Sequence, residues 1–348
     1  MDLIVHDAIS AAAARLEDCY SGHGCDWKRF YRPKKEMLNF ATRYHLVYPA
    51  LAYFIDLKRN PSQAEDIRSQ LDTIYRGLLE PRCWTYWHTE LEEPTWPLQE
   101  RNLTYAGRLA TFIGFYIDAF GEPPSPHIEI DGHSTTYNDL SHSLWRQMSQ
   151  SPSCGVSCYH HQSMLMCNAH MLINNVLHDR LFSTDFATSN AGWLATVEQN
   201  LLRSEDTGPM FFYGTEPNKP TPIIEKHAVG ADIWAMFLMS SVVPDLVSEW
   251  FKKWQRNIVF DSDIAHVEVA TWEAENEFSS NELATAWAFC LTKELGQDDR
   301  AECLRRYLSP KVVEGFELDP YISGVFLLGE RLEASAFRRL VHGTDGQS

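Results

Sequence analysis

No apolar run in the 348 residues approaches the length of a membrane-spanning helix, so the chain is not expected to cross a bilayer. The first residues, MDLIVHDAIS, are acidic and lack a basic stretch followed by a long apolar core, so no secretory signal is expected. Basic residues are scarce: 30 Lys and Arg stand against 47 Asp and Glu, a net charge of −17. A chain that grips phosphates must neutralise them, which argues against nucleic acid and against an anionic membrane surface as partners. A CxxC pair is absent, which speaks against a zinc ribbon or a redox disulfide. Eight cysteines at irregular spacing then read as free thiols in a cytoplasmic protein. There is also no βαβ rhythm and no glycine fingerprint for a dinucleotide.

What is present is helical periodicity and aromatic bulk. Aromatics make up 12% of the chain, with 11 tryptophans, a residue that tends to line cores and apolar pockets. Apolar spacing at three and four residues predicts helices over 5–19, 36–57, 64–80, 99–120, 135–150, 162–181 and 186–202. Further helices are predicted over 229–242, 246–254, 281–295 and 319–341, with Ser280 or Asn281 as a cap and Gly121 and Gly296 as stops. Residues 81–97, PRCWTYWHTELEEPTWP, read as an irregular aromatic loop, and 210–213 and 266–271 as short strands. About a dozen similar helices joined by alternating short and long loops predict an all-α fold. The expected form is an (α/α)6 barrel, a helical toroid with a few short strands in its loops. It is read as one domain over 1–348, with a frayed tail at 342–348.

Chemistry concentrates in GVSCYHHQSMLMCN, residues 155–168. Cys158 is expected on a loop and Cys167 in the first turns of the next helix, with His160, His161 and Gln162 between them. Thiols and imidazoles close together in an aromatic chain fit acid–base or nucleophilic work on an apolar substrate. The plainer reading has Cys167 filling the core beside Met164 and Met166, and the histidines capping a helix.

Four segments together resemble the bacterial linalool dehydratase-isomerase family. They are CYSGHGCDW (19–27), CWTYW with PLQERNLTYAGRL (83–87 and 97–109), SPSCGVSCYHHQSMLMCN (151–168), and MFFYG (210–214) with the helix start near His227. Their order and separations agree over residues 7–310. The resemblance implies an (α/α)6 barrel that dehydrates or isomerises a small terpene alcohol with no metal or organic cofactor, as a homo-oligomer with apolar pockets. Carried across, Cys158 and Cys167 take the two active-site cysteine positions and Tyr20 an active-site tyrosine. This chain departs from the pattern in two places: Arg108 stands where the family has a histidine, and Ala14 where it has an aspartate. A guanidinium does not exchange a proton near neutrality, so the relative's acid–base relay is not intact.

The catalytic candidates are therefore Cys158, Cys167, Arg108, Tyr20, His161 and His227. Trp84, Trp87, Tyr105, His160, Phe212 and Tyr213 are expected to hold substrate. Arg108 could depress a neighbouring thiol or hold a substrate oxygen; the plain alternative is a buried ion pair, for instance with Glu100. The expected activity is that of a lyase, isomerase or cyclase on an apolar terpenoid- or polyketide-derived intermediate in specialised metabolism. A pericyclic or carbocation cyclase is the first alternative. A metal-dependent terpene synthase ranks lower, because neither DDR at Asp298 nor FDSD at Phe260 makes a DDxxD pattern. A non-catalytic or sugar-active toroid is the third class; the latter needs paired carboxylates, and Glu273, Glu275 and Glu277 read as an exposed acidic run.

Overall fold

The computed structural model describes residues 46–89, 92–158, 163–202, 228–275, 279–313 and 320–343. Helix α1 (Val47–Arg59) ends at Asn60, ahead of Pro61. Helix α2 (Ala64–Leu79) stops because Glu80 precedes Pro81 and takes an extended conformation, as a residue before proline prefers. Two single turns follow, α3 (Pro81–Trp84) and α4 (Tyr86–Thr89). The segment expected to be wholly irregular is thus half helical, because Pro81 fits the first turn, where no backbone N–H is needed.

Helix α5 (Leu103–Phe120) ends on Gly121 at φ 77°, whose N–H closes onto Ile117, as expected. A hairpin of β1 (Ile128–Ile130) and β2 (His133–Thr135) turns through Asp131-Gly132, both at positive φ, the Asp-Gly turn that matches strand twist. Helix α6 (Tyr137–Gln150) is capped by the Thr136 hydroxyl. Helix α7 (Leu165–Phe182) is followed by α8 (Asn190–Thr196), which runs into a wider turn over Val197–Leu201. Helices α9 (Val229–Ser240) and α10 (Pro244–Trp254) flank Pro244, which opens α10. Strands β3 (Ile258–Asp261) and β4 (Ile264–Val267) pair antiparallel, and α11 (Thr271–Glu275) is a single helical turn. Helix α12 (Asn281–Glu294) is capped by Ser280 and followed by α13 (Asp298–Val313), which the periodicity reading had missed. The last two are α14 (Pro320–Arg331) and α15 (Ala336–His342).

Six of these helices pack side by side in a closed ring: α1 on α5, α5 on α7, α7 on α9, α9 on α12, α12 on α14, and α14 back on α1. They are the helices buried on nearly every side. In α5 every residue from Leu103 to Tyr116 is buried, so that stretch has no solvent-facing side. Among the described residues α2, α6, α8, α10 and α13 form an outer layer with one apolar stripe each. In α2 that stripe is Ile67, Leu71, Ile74, Tyr75 and Leu78. Hairpins of alternating inner and outer helices make this an (α/α)6 barrel, all-α with short strands only in its connections.

Alternation also makes the inner helices parallel, so all their N-termini reach one end of the barrel. The opposite end is closed by α15. One continuous helix over 319–341 was expected, but the chain breaks at 332–335, where Ser335 has φ 59°. Glu294, at the end of α12, accepts the Phe337 and Arg338 N–H groups at 2.8 and 2.9 Å and so anchors the turned chain. Phe337 then stacks on Phe237 of α9, with centroids 5.0 Å apart, and touches Phe115 of α5. This is the floor.

The region carrying the predicted helix 5–19 and strand 210–213 lies outside the described residues, as does the tail beyond 343. No helix among the described residues is long and apolar enough to cross a membrane.

Candidate active site

The open end of the barrel collects polar groups that the apolar helices would not otherwise bury. On α5, Thr104, Gly107, Arg108 and Thr111 fall on one stripe, at steps of three and four residues. On α7, Cys167 and His170 stand three residues apart and face them, while Asn174, a turn further on, accepts from Tyr137 and Ser141 of α6. Gly107 allows the approach: a Cβ there would lie 2.9 Å from the Leu103 side chain and 3.5 Å from the His170 Cβ. All of these groups are buried.

Cys158 reaches this stripe from a loop that is held at three points. The Asn168 side chain accepts the Val156 N–H at 2.8 Å and donates to the Val156 and Met164 carbonyls. Leu103, the first residue of α5, donates its N–H to the Ser157 carbonyl at 3.0 Å. Gly155 lies flat against Trp193, where an added Cβ would come within 2.4 Å of the ring. The Cys158 sulfur accepts the Met164 N–H at 3.3 Å. It also hydrogen-bonds Cys167, whose sulfur lies 3.4 Å from the Thr104 hydroxyl and is bonded by the Arg108 guanidinium.

These contacts pull the two thiols apart electrostatically. Cys167 is held below the usual thiol range by the Cys158 hydrogen bond, with the Arg108 charge and the Thr104 and Arg108 donors outweighing burial. Burial pushes Cys158 well up, and the neighbouring Cys167 adds to the effect. Of the pair, Cys167 is the sulfur that gives up its proton more readily and Cys158 the one that keeps it. Arg108 is fully buried, donates to the Thr104 carbonyl at 2.5 Å, and lies over the Trp234 ring at 5.4 Å. Glu100 is exposed at the surface, so it is not the partner of this buried guanidinium.

An aromatic wall faces the thiols, built from four inner helices. Tyr48 of α1 meets Trp287 of α12 edge-on at 4.8 Å, and Trp287 stacks on Trp234 of α9 at 5.9 Å. Tyr321 of α14 packs against both Tyr48 and Trp287. Trp234 and Tyr321 are the partly exposed members and form the rim. The Tyr48 hydroxyl contacts His170 at 3.2 Å and accepts the Trp234 Nε1–H at 2.9 Å. Burial pushes Tyr48 up to about 12, although the Arg108 charge and hydrogen bonds oppose it. Burial and the Arg108 charge also hold His170 well below the usual imidazole value, so it is neutral.

Of the sequence candidates, the structure brings together Cys158, Cys167 and Arg108. Trp84, Trp87 and Tyr105 are set apart, each with its polar atom spent on a backbone carbonyl: Leu79 at 3.1 Å, Thr95 at 2.8 Å and Leu78 at 2.7 Å respectively. They build the wall between α2 and the turns after it. Tyr20, His160, His161, Phe212, Tyr213 and His227 lie outside the described residues.

The acidic residues from Glu273 on, which the sequence had suggested are exposed, are not all so. Glu273 is not exposed; its carboxylate accepts the Val229 and Gly230 N–H groups at 2.8 and 3.0 Å. Alternating acids look like a strand face, but α11 is a helical turn that points Glu273 inward at the start of α9. A carboxylate there is favoured by the helix dipole, and it seats the helix that carries Trp234.

A family model described as linalool dehydratase/isomerase matches residues 43–317. Among solved structures, an unsaturated glucuronyl hydrolase from Streptococcus agalactiae is similar over 94% of this chain and 79% of its own length. The identity is 10% and the TM-score 0.50, a likeness of fold alone. That fold agrees with the ring of six inner helices.

Proposed function

The chain belongs to the linalool dehydratase/isomerase family, and from that premise we propose that it is a cofactor-independent lyase or isomerase of a small apolar alcohol. The observation that carries this reading is the dithiol: two buried sulfurs in contact, beneath an aromatic wall, with the Arg108 guanidinium beside Cys167. Loss of water needs a proton for the departing hydroxyl and an acceptor for a proton from the adjacent carbon. Cys158 supplies the first and the Cys167 thiolate takes the second. The C–O bond breaks, the C=C bond forms, and the sulfurs are left as Cys158 thiolate and Cys167 thiol. One proton passing back across their hydrogen bond restores the starting state. An allylic transposition starts the same way: the Cys158 proton takes the hydroxyl off as water, that water adds to the far allylic carbon as the double bond shifts, and the Cys158 thiolate takes back the added water's proton, so no water is released.

In this reading Arg108 serves Cys167 and Tyr48, which its contacts with both support. Its charge stabilises the thiolate and so tunes the base. Tyr48, Trp234, Trp287 and Tyr321 supply the apolar surface for a terpenoid- or polyketide-derived chain. Their ring faces also favour positive charge that develops as the C–O bond breaks. The same wall favours a second reading, a carbocation cyclase in which the rings fold the substrate and the thiols only start and end the reaction.

The test is to incubate the protein with small tertiary allylic alcohols and their primary isomers, with and without a chelator, and to analyse the products. Diene and transposed alcohol, insensitive to the chelator, support the reading. Cyclic products alone support the cyclase, and loss of activity with the chelator overturns both.

A further inference from the structure

We propose that His170 is a positioning residue: by accepting the Tyr48 hydroxyl proton, it leaves that oxygen's lone pairs to Arg108 and Trp234 and so aims the guanidinium at Cys167. The inference rests on the dithiol reading above.

Trp234 Nε1–H and the Arg108 guanidinium can only donate, and both donate to the Tyr48 oxygen. His170 Nε2, 3.2 Å from the same oxygen, can accept, and the Tyr48 proton points there. Nε2 must then be the unprotonated ring nitrogen, and Nδ1 carries the hydrogen. Nδ1 lies 3.3 Å from the Thr111 hydroxyl, whose own proton goes to a backbone carbonyl, Gly107 at 2.8 Å or His170 at 3.3 Å, and whose oxygen can therefore accept. Thr111 fixes the tautomer, the tautomer fixes Tyr48, and Tyr48 orients Arg108.

The same chain excludes His170 as an acid or base in turnover. It ends on a backbone carbonyl, which takes up no proton, and an imidazolium would share a fully buried site with Arg108. Among the described residues, Arg108 is the charged group that acts on His170 and Tyr48 the titratable group bonded to it, with Cys167 beyond them on Arg108. Without an acceptor at Nε2, the Tyr48 O–H is free to turn toward the side where Arg108 and Trp234 donate, and its proton then opposes theirs. The guanidinium then turns from the Tyr48–Cys167 pair.

The test is thiolate absorbance near 240 nm against pH, with Cys167→Ser subtracted, in the full-length protein. In the wild type Cys167 titrates below the ordinary thiol value of about 8.5. His170→Leu, which fills the space without accepting, raises that titration by a pH unit or more. His170→Gln, whose side-chain carbonyl can accept the Tyr48 proton, restores it. Tyr48→Phe raises it as His170→Leu does, and carries the test if the latter fails to fold. A depressed wild-type titration that stays in place in folded His170→Leu or Tyr48→Phe overturns the positioning role. A wild-type thiol in the ordinary range overturns the dithiol reading itself, and this proposal with it.

Discussion

The side chain of Asn168 brackets the backbone of Val156, accepting its N–H at 2.8 Å and donating to its carbonyl at 3.1 Å. Asn168 lies one residue beyond Cys167 and Val156 two residues before Cys158. One amide therefore sets the loop thiol against the helix thiol, in place of the second strand that would ordinarily satisfy that backbone.

Asn168→Ala leaves a buried N–H and a buried carbonyl without their partner, each costing about 1–3 kcal/mol. Urea unfolding should show a loss on the order of 3 kcal/mol, with product formation reduced in the protein that remains folded. Asn168→Asp has the same shape but no donor for the Val156 and Met164 carbonyls, and should also destabilise. A loss below about 1 kcal/mol in both variants would remove Asn168 from this role.

Arg108 acts on the charge of Cys167, so its replacement should move the pH dependence of activity. Arg108 lowers the thiol's value, and removing it raises that value; the rising limb of kcat/KM then shifts to higher pH. Arg108→Met should show the full shift. Arg108→Lys should fall between, because it keeps the charge but not the planar set of donors that Thr104, Tyr48 and Cys167 use. An unmoved limb in Arg108→Met would separate the guanidinium from the thiolate.

The floor of the barrel should be pH-sensitive through Glu294. Burial raises its carboxyl from 4.5 to about 7, against the Phe337 and Arg338 hydrogen bonds. Its folded value lies above the unfolded one, so its contribution is most favourable below about pH 4.5. That contribution is lost as pH rises to about 7, by roughly 3 kcal/mol. His178, lowered to about 4 by burial, has the opposite slope, losing stability as pH falls below its unfolded value. Subtracting Glu294→Gln from the wild type cancels the histidine. The difference in urea midpoints should then favour the wild type more at pH 5 than at pH 8; a flat difference would place Glu294 outside this linkage.

Much of the scaffold is visible in local signals. Gly121 and Gly296 end helices where a left-handed residue is needed, and Ser280 caps α12 through its hydroxyl. The β1–β2 hairpin escaped notice because each strand has three residues, too few for alternation to register. The break before α15 escaped because Glu333, Ala334 and Ser335 suit a helix as well as a turn. What imposes the turn is Glu294, some forty residues earlier on another helix.

Half of the site was legible for the same reason that half was not. Cys158 and Cys167 are close in sequence, and Arg108 stands out as a cation in an apolar helix. Tyr48, Trp234, Trp287 and Tyr321 carry no local sign, since the Tyr48 hydroxyl meets His170 and Trp234 across 122 and 186 residues of chain. One signal was available. His170 and Asn174 interrupt a helix that is buried on every face, and a polar stripe in such a helix marks where it meets other polar groups.

The central claim is that Cys158 and Cys167 exchange protons with the substrate. It is tested most directly by assaying product formation in Cys158→Ser and Cys167→Ser, each checked for a native melting transition. A serine hydroxyl is too weak an acid to carry the shared charge, so either variant should lose 100-fold or more in kcat, within the range that general acid–base groups supply. Full activity in both folded variants would contradict the account.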